Sequence, residues 1–148
     1  IKKFLIINLI LFIFFLANSY SDNNTFMSLK NNKVNVRYGP GLDYPIKFVF
    51  NKKNYPVEII DQKENFRKIL DFKKNSGWIH RSQLKKSSSF ITLDTVILFS
   101  NSTKFSRPIA KIESGRLLNK KKCNLNWCRV ETGEYKGWVL KENLWGLN

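Results

Sequence analysis

The side chains of this chain that could most readily carry covalent or metal chemistry are two cysteines and one histidine. Cys123 and Cys128 enclose the segment 124–127, which is typical of a turn that enters a strand, and cysteines facing each other across a hairpin come within disulfide distance. A metal site would need further ligands, and the only histidine, His80, lies in the other half of the chain. We therefore predict a disulfide between Cys123 and Cys128, and no metal and no cofactor.

No other pattern in the sequence indicates catalysis. His80 follows Gly77-Trp78-Ile79 in a predicted strand, without a cysteine nearby in sequence that could act with it as a nucleophile. The acidic residues stand in no distinctive setting for glycoside hydrolysis, and no glycine-rich loop of the phosphate-binding type occurs. We predict that the protein is not an enzyme.

The first 19 residues predict export. Lys2 and Lys3 precede an apolar stretch over residues 4–16, and the small residues Ala17 and Ser19 follow it. This order is that of a secretory signal peptide, here a signal helix cleaved after Ser19. The apolar stretch is shorter than the roughly 20 residues that span a bilayer, although an uncleaved anchor remains the alternative. Export to the periplasm or cell envelope also favours the disulfide.

The formal net charge is +15, from 26 basic and 11 acidic side chains. Such a charge favours anionic partners. It is spread over both halves of the chain, which, together with export, argues against nucleic acid as the partner. The alternative of an electrostatic module for anionic lipid or acidic polymer stays open. Its candidate residues are Lys52, Lys53, Lys73, Lys74 and Lys120–Lys122.

One pattern occurs twice, at a spacing of about 60 residues. The first copy has an aromatic residue at Phe66, Gly77-Trp78-Ile79 after a polar turn, and an apolar end at Leu84. The second copy has Trp127, Gly137-Trp138-Val139 and Leu144 in the same order. This spacing exceeds that of most solenoid repeats and predicts two small domains in tandem.

Short runs of β-branched and aromatic residues, separated by Asn, Gly, Pro and Ser, predict an all-β protein. Five strands in about 55 residues indicate a small barrel that pairs its own edges. We predict two tandem five-stranded SH3-like barrels after the signal helix. The predicted boundaries are a signal peptide at 1–19, a short leader at 20–32, a first domain at 33–84, a linker at 85–89 and a diverged second domain at 90–148.

The first half resembles the bacterial SH3-like (SH3b) domain. The resemblance is carried by Val34-Asn35-Val36-Arg37-Tyr38-Gly39-Pro40, by Tyr44-Pro45-Ile46 and by Gly77-Trp78-Ile79-His80. The second half has Ile97-Leu98-Phe99-Ser100-Asn101-Ser102 at the first motif, without its Arg or Gly-Pro. It keeps the Gly-Trp end and is therefore interpreted as a diverged copy.

The resemblance implies a binding protein of the cell envelope that recognises cell-wall peptide or an envelope protein. Aromatic side chains between the long loops of SH3-type barrels take extended peptides. The candidate ligand-binding residues are Arg37, Tyr38, Tyr44 and Trp78. Gly39 and Pro40 are predicted to turn the chain sharply.

Trp78 and Trp138 lie within predicted strands, where packing in the core is the first expectation for an aromatic residue. The sequence leaves open the identity of the ligand, the oligomeric state and the relative orientation of the two barrels.

Overall fold

The computed structural model describes residues 25–148. The predicted signal peptide at 1–19 lies outside these residues, as does the start of the predicted leader. Within the described part, no helix has the length and apolar character needed to cross a membrane.

Residues 25–86 form a first antiparallel sheet of seven strands. A 3₁₀ helix at Arg81–Gln83 precedes the last of them. The strands are β1 (Thr25–Leu29), β2 (Val34–Arg37), β3 (Ile46–Phe50), β4 (Pro56–Lys63), β5 (Phe66–Leu70), β6 (Ser76–His80) and β7 (Leu84–Lys86). Their order across the sheet is β3-β2-β6-β5-β4-β1-β7.

Residues 89–145 form a second sheet with the same connectivity. Its 3₁₀ helix is at Lys141–Asn143. The strands are β8 (Ser89–Thr92), β9 (Val96–Phe99), β10 (Pro108–Ile112), β11 (Leu117–Cys123), β12 (Trp127–Thr132), β13 (Tyr135–Leu140) and β14 (Leu144–Trp145). The order β10-β9-β13-β12-β11-β8-β14 matches the first sheet strand for strand. The all-β class and the tandem repeat are therefore confirmed, and we call the two units the first and second modules.

The strand count differs from the prediction because two segments expected to be irregular contain strands. The predicted leader, 20–32, holds β1, which pairs with both β4 and β7. The predicted linker, 85–89, holds part of β7 and the start of β8. The Lys- and Ser-rich sequence of 85–89 is typical of a linker, but β8 gains partners on both sides, from β11 and β14.

The predicted closed barrels are also wrong, because each sheet is open at two edges. In the first module these edges are β3 and β7. Bulges between Val36 and Arg37 and between Ile59 and Asp61 bend the sheet without joining its ends. Exposed edges carry residues that discourage pairing with another chain: β7 ends in Lys85-Lys86 and β10 begins with Pro108.

Each sheet buries one face in a core of its own, as alternation along short strands requires. The first core consists of Leu29, Val34, Val36, Val57, Ile69, Ile79 and Leu84. The second consists of Phe90, Val96, Leu98, Ile112, Leu118, Cys128, Val130, Val139 and Leu144. Side chains between these positions face outward, and they form the surfaces described below.

The predicted disulfide is present. Cys123 and Cys128 lie opposite each other in the β11–β12 hairpin, with their Cα atoms 4.0 Å apart and a bond between their sulfur atoms. Cys128 is fully buried in the second core. A loop this short gives a stabilisation of about 2 kcal/mol, since the cross-link restricts the unfolded chain.

The two modules pack against each other through β1 and the C-terminal segment. The side-chain amide of Asn148 accepts a hydrogen bond from Phe26 N at 2.6 Å and donates one to Phe26 O at 3.1 Å. The Phe26 ring meets Trp145 edge to face, with ring centroids 4.9 Å apart. Phe26 and Ile91 are both buried, yet neither belongs to a module core.

Polar contacts continue this interface. The hydroxyl groups of Ser28 and Ser89 lie 3.1 Å apart, and both residues are fully buried. Asn54 Nδ2 donates to Asn119 Oδ1 at 3.1 Å, and the Ser89 hydroxyl donates to Asn54 O. Because both apolar and hydrogen-bonding groups are buried between the modules, the orientation left open by the sequence is set by direct contact.

We predict that the modules unfold cooperatively through Trp145, which also contacts Phe72. Trp145→Ala should lower the free energy of unfolding by about 2 kcal/mol and separate one thermal transition into two, because it removes ring contacts from the interface. Differential scanning calorimetry measures both effects. Tyr135→Ala, at the exposed start of β13, serves as the control, with a change within about 0.5 kcal/mol. A single transition at an unchanged midpoint in Trp145→Ala would refute the coupling.

Candidate functional site

A groove of about 410 Å³ lies on the outer face of the first module. We call it the first groove. It is lined by Lys33, Asn35, Arg37, Leu42, Phe66, His80 and Gln83. These residues come from β2 and the residue before it, from the β2–β3 loop, from the facing ends of β5 and β6, and from the 3₁₀ helix that follows.

Alternation along β2 and β6 brings the polar lining residues to one face. Val34 and Val36 enter the core, so Asn35 and Arg37 face outward. Ile79 likewise enters the core, which directs His80 outward on β6. The outer face of the sheet therefore presents the polar groups of the groove, while the inner face forms the apolar core.

Phe66 lies beneath the groove. Its side chain is 7% exposed although it lies outside the core cluster. It pairs with His80 across β5 and β6, and the two rings meet edge to face with centroids 5.2 Å apart. His80 is held by the 3₁₀ helix, since its Nδ1 lies 2.8 Å from Ser82 Oγ and accepts from Ser82 N at 3.3 Å.

The β2–β3 loop is fixed over the groove by Arg37. The guanidinium Nη1 donates to Tyr44 O at 2.7 Å. Tyr38 N donates to Pro45 O at 3.1 Å and closes the base of the same loop. A guanidinium has five N–H donors, so one bond positions Arg37 without exhausting its capacity for a ligand.

Gly39 has a steric role in this loop. A Cβ atom at this position would overlap the ring of Tyr44, which lies directly against the Gly39 backbone. Gly41 N donates to Gly39 O at 3.0 Å, so Pro40 stands at the tip of a tight turn. The ring of Tyr44 thus packs on the Gly39-Pro40-Gly41 turn.

The lining of the first groove is cationic and polar. Lys33 and Arg37 carry positive charge at neutral pH, and Asn35 and Gln83 supply amide groups. None of the seven lining residues is acidic. Such a site favours a ligand that carries a carboxylate or another anionic group, with an apolar part that can contact Leu42 and Phe66.

Of the four predicted ligand-binding residues, Arg37 lines this groove and the other three do not. Tyr38 is 63% exposed, with Lys47 Nζ 5.7 Å from its ring centroid. Tyr44 packs on the loop, as described. Trp78 lies opposite Arg37 in the register of β2 and β6. The ligand-binding role of Tyr38, Tyr44 and Trp78 stays a prediction.

The expectation of core packing for Trp78 and Trp138 is wrong. Both side chains are half-buried and belong to neither core cluster. Ile79 and Val139, their neighbours along the strands, take the core positions. Trp138 instead lies on the outer face beneath Lys122, whose Nζ is 5.5 Å from the ring centroid.

Sequence reasoning missed the residues that complete the groove around Arg37. Reading β6 with a period of two would have placed Trp78 and His80 on one face, opposite Ile79. Phe66 was recognised as a repeated aromatic position, but its outward direction depends on the register with His80. Leu42 and Gln83 come from irregular segments, and no periodic signal predicts their position.

The second module has a groove of about 480 Å³ at the equivalent place. Trp127 takes the position of Phe66, and Leu140 takes that of His80. Phe99 corresponds to Arg37 and meets the Trp127 ring edge to face at 5.9 Å. The lining of this second groove has four apolar side chains, Phe105, Leu125, Trp127 and Leu140, beside six polar or charged ones.

The lysines of the electrostatic alternative are distributed over different surroundings. Lys121 and Lys136 bind Glu131 at 2.7 and 3.0 Å. Hydrogen bonding to these two ammonium groups, Lys121 first, lowers the pKa of the Glu131 carboxyl. Lys120 lies near the Phe90 ring. Among residues 25–148, no group of three or more potential metal ligands occurs.

The protein consists of two consecutive modules of seven short strands. Each has a groove beside one loop, β2–β3 in the first module and β9–β10 in the second, which is a tandem SH3-like architecture. The chain belongs to the bacterial SH3 domain family, whose model matches residues 30–86 and 94–146. The matches span both modules, including the second, which lacks the Arg and Gly-Pro of the first.

Three solved structures of low identity are similar to this chain. NlpC2 from Trichomonas vaginalis is 16% identical over 82% of this chain and 47% of its own length, with a TM-score of 0.38. NlpC1 from the same organism is 16% identical over 86% and 48%, with a TM-score of 0.38.

The third is an NlpC/P60 family protein from Bacillus cereus. It is 12% identical over 81% of this chain and 55% of its own length, with a TM-score of 0.39. The chain thus spans about half the length of these structures. No curated protein sequence matches it.

We predict that Gly39→Ala displaces Tyr44 and loosens the loop that Arg37 holds. The substitution should lower the free energy of unfolding by about 1–2 kcal/mol, because the new methyl group overlaps the Tyr44 ring. Chemical denaturation of Gly39→Ala, Tyr44→Ala and the double variant measures the coupling. The double variant should cost less than the sum of the two single variants, since removal of the ring relieves the overlap. Strict additivity would contradict this account.

Proposed function

We propose that this protein is a non-catalytic, exported binding protein of the cell envelope, and that its first groove recognises cell-wall peptide through a carboxylate group. The observation that carries the proposal is the lining of that groove. Lys33 and Arg37 offer charge-assisted hydrogen bonds, which are the strong type for carboxylates. Peptidoglycan stem peptides carry free carboxylates along an extended backbone.

The combination of apolar and amide side chains in the groove supports a peptide as the ligand. Leu42 and Phe66 offer apolar contact at the groove, while Asn35 and Gln83 can pair with backbone amides. SH3-type domains commonly take extended peptides in shallow clefts beside their long loops. An envelope protein with an acidic extended segment would use the same groups.

Export is supported by two independent features. The N-terminal sequence follows the order of a signal peptide. The Cys123–Cys128 disulfide is of a kind that persists in oxidising compartments. On these grounds we propose the periplasm or cell envelope as its location, with anchoring as the alternative if the signal segment is retained.

A binding role without catalysis is supported by the groove itself. Its one histidine is held by Ser82 and packs on Phe66, and the lining includes neither a thiol nor a carboxylate that could act with it. Ligand recognition requires only the donors and the apolar contacts that these residues offer.

The proposal predicts that Lys33→Ala/Arg37→Ala weakens binding to purified peptidoglycan sacculi about tenfold or more, because two charged donors to the carboxylate are lost. Pull-down at low and high salt with residues 20–148 measures it. Arg107→Ala/Lys111→Ala is the charge-matched control, since both residues are exposed on the second module. The control should bind as the unmodified protein does.

Two outcomes would refute the proposal. Equal losses in both double variants, with complete release by salt, would mean that net charge alone attracts the polymer. Absence of binding by the unmodified protein would exclude the cell wall as the ligand. Amidation of the sacculus carboxylates should reduce binding as strongly as the groove variant does.

A further inference from the structure

The tip of the second module carries the two most exposed large apolar side chains of the described residues. Phe105 is 100% exposed and Leu125 is 85% exposed. Both line the second groove, together with Trp127 and Leu140. Strongly exposed apolar side chains that share one groove make it a candidate interaction site.

The loop that carries Phe105 is held in shape by its own hydrogen bonds. The Ser106 hydroxyl lies 2.8 Å from Thr103 O, to which it donates, and 3.2 Å from Asn101 O. Phe105 N donates to Thr103 Oγ1 at 3.3 Å. The exposed ring is therefore presented by an organised turn.

Leu125 is presented in a comparable way. It lies in the turn closed by the Cys123–Cys128 disulfide. Asn124 Oδ1 accepts hydrogen bonds from Asn126 N at 3.1 Å and from Trp127 N at 2.8 Å. Presenting both apolar groups on organised turns lowers the entropic cost of binding, and this gives the disulfide a role beyond stability.

The charge of this surface favours an anionic occupant. Lys104 and Lys141 also line the groove, with Glu142 as its acidic member. The chain carries a formal charge of +15, which disfavours a second copy of itself as the partner. An anionic surface with an accessible apolar layer satisfies both the lysines and the protruding side chains.

We propose that this tip docks on an anionic lipid bilayer, with Phe105 and Leu125 inserted at the boundary between head groups and acyl chains. Aromatic and leucine side chains beside lysines are the composition of interfacial membrane anchors, and lysines near an anionic leaflet add attraction. A fluid bilayer needs no complementary shape, which suits an apolar side chain that protrudes fully.

The first module offers a matched control. Leu42 is 70% exposed on the equivalent β2–β3 loop. It stands beside Arg37 and polar groups, without a second exposed apolar side chain in the lining of its groove. Replacing Leu42 removes exposed apolar area from the first module and leaves the proposed membrane tip intact.

Co-sedimentation with vesicles tests the proposal, using residues 20–148 so that the apolar stretch at 4–16 does not contribute. The vesicles are phosphatidylcholine alone or with roughly 30 mol % phosphatidylglycerol. We expect binding to the anionic vesicles, an approximately tenfold weaker partition for Phe105→Ser/Leu125→Ser, and an unchanged partition for Leu42→Ser. Both variants replace exposed side chains, and circular dichroism verifies their fold.

Several results would overturn this inference. One is failure of the unmodified protein to bind anionic vesicles, including the case in which the tip captures an acidic protein instead. Another is full binding by Phe105→Ser/Leu125→Ser, which would leave the lysines as sufficient. An equal loss in Leu42→Ser would also overturn it. Sacculus binding by Phe105→Ser/Leu125→Ser should persist, which separates this site from the first groove.

Discussion

The faces of both sheets depend on the alternation of side chains across their short strands. In β2, Val34 and Val36 are almost completely buried, and this burial directs Asn35 and Arg37 to the opposite face. A slip of one residue would exchange the two sets and expose the valines. The same apolar packing that stabilises the first module therefore directs Asn35 and Arg37 toward the first groove, and the bulge after Val36 and the bond to Tyr44 O help to position Arg37.

The two modules share one fold but differ in the side chains that line their grooves. Both modules have seven strands in one order, with an aromatic residue, Phe66 or Trp127, beneath the groove. Around Phe66 the lining includes two basic and no acidic residues, whereas around Trp127 it includes Phe105, Leu125 and Leu140 beside polar groups and charges of both signs. The buried contacts of β1 with the C-terminal segment pack the two modules against each other.

The sequence predicted the all-β class, the tandem repeat and the disulfide, because each leaves a local signal: short β-branched runs, a recurring Gly-Trp pair and two close cysteines. It did not predict β1 and β8, since Thr25–Leu29 and Ser89–Thr92 gain their stability from partners on both sides. Arg37 was predicted from a motif. The sequence did not predict Lys33, His80 and Gln83 as groove residues. Their proximity depends on strand register and loop position, which patterns in a single sequence do not encode. Trp78 was expected in the core because it is aromatic, but it is adjacent to the core residue Ile79 and therefore faces the opposite side of β6.

The most direct test of the central claim is amide chemical-shift mapping of ¹⁵N-labelled residues 20–148 during titration with a soluble cell-wall peptide. The account predicts that saturable shifts concentrate at Asn35, Arg37, Phe66, His80 and Gln83, and that the second module changes little. Shifts that centre on Trp127 and Leu140, or that scatter over exposed lysines and vanish with salt, would contradict it.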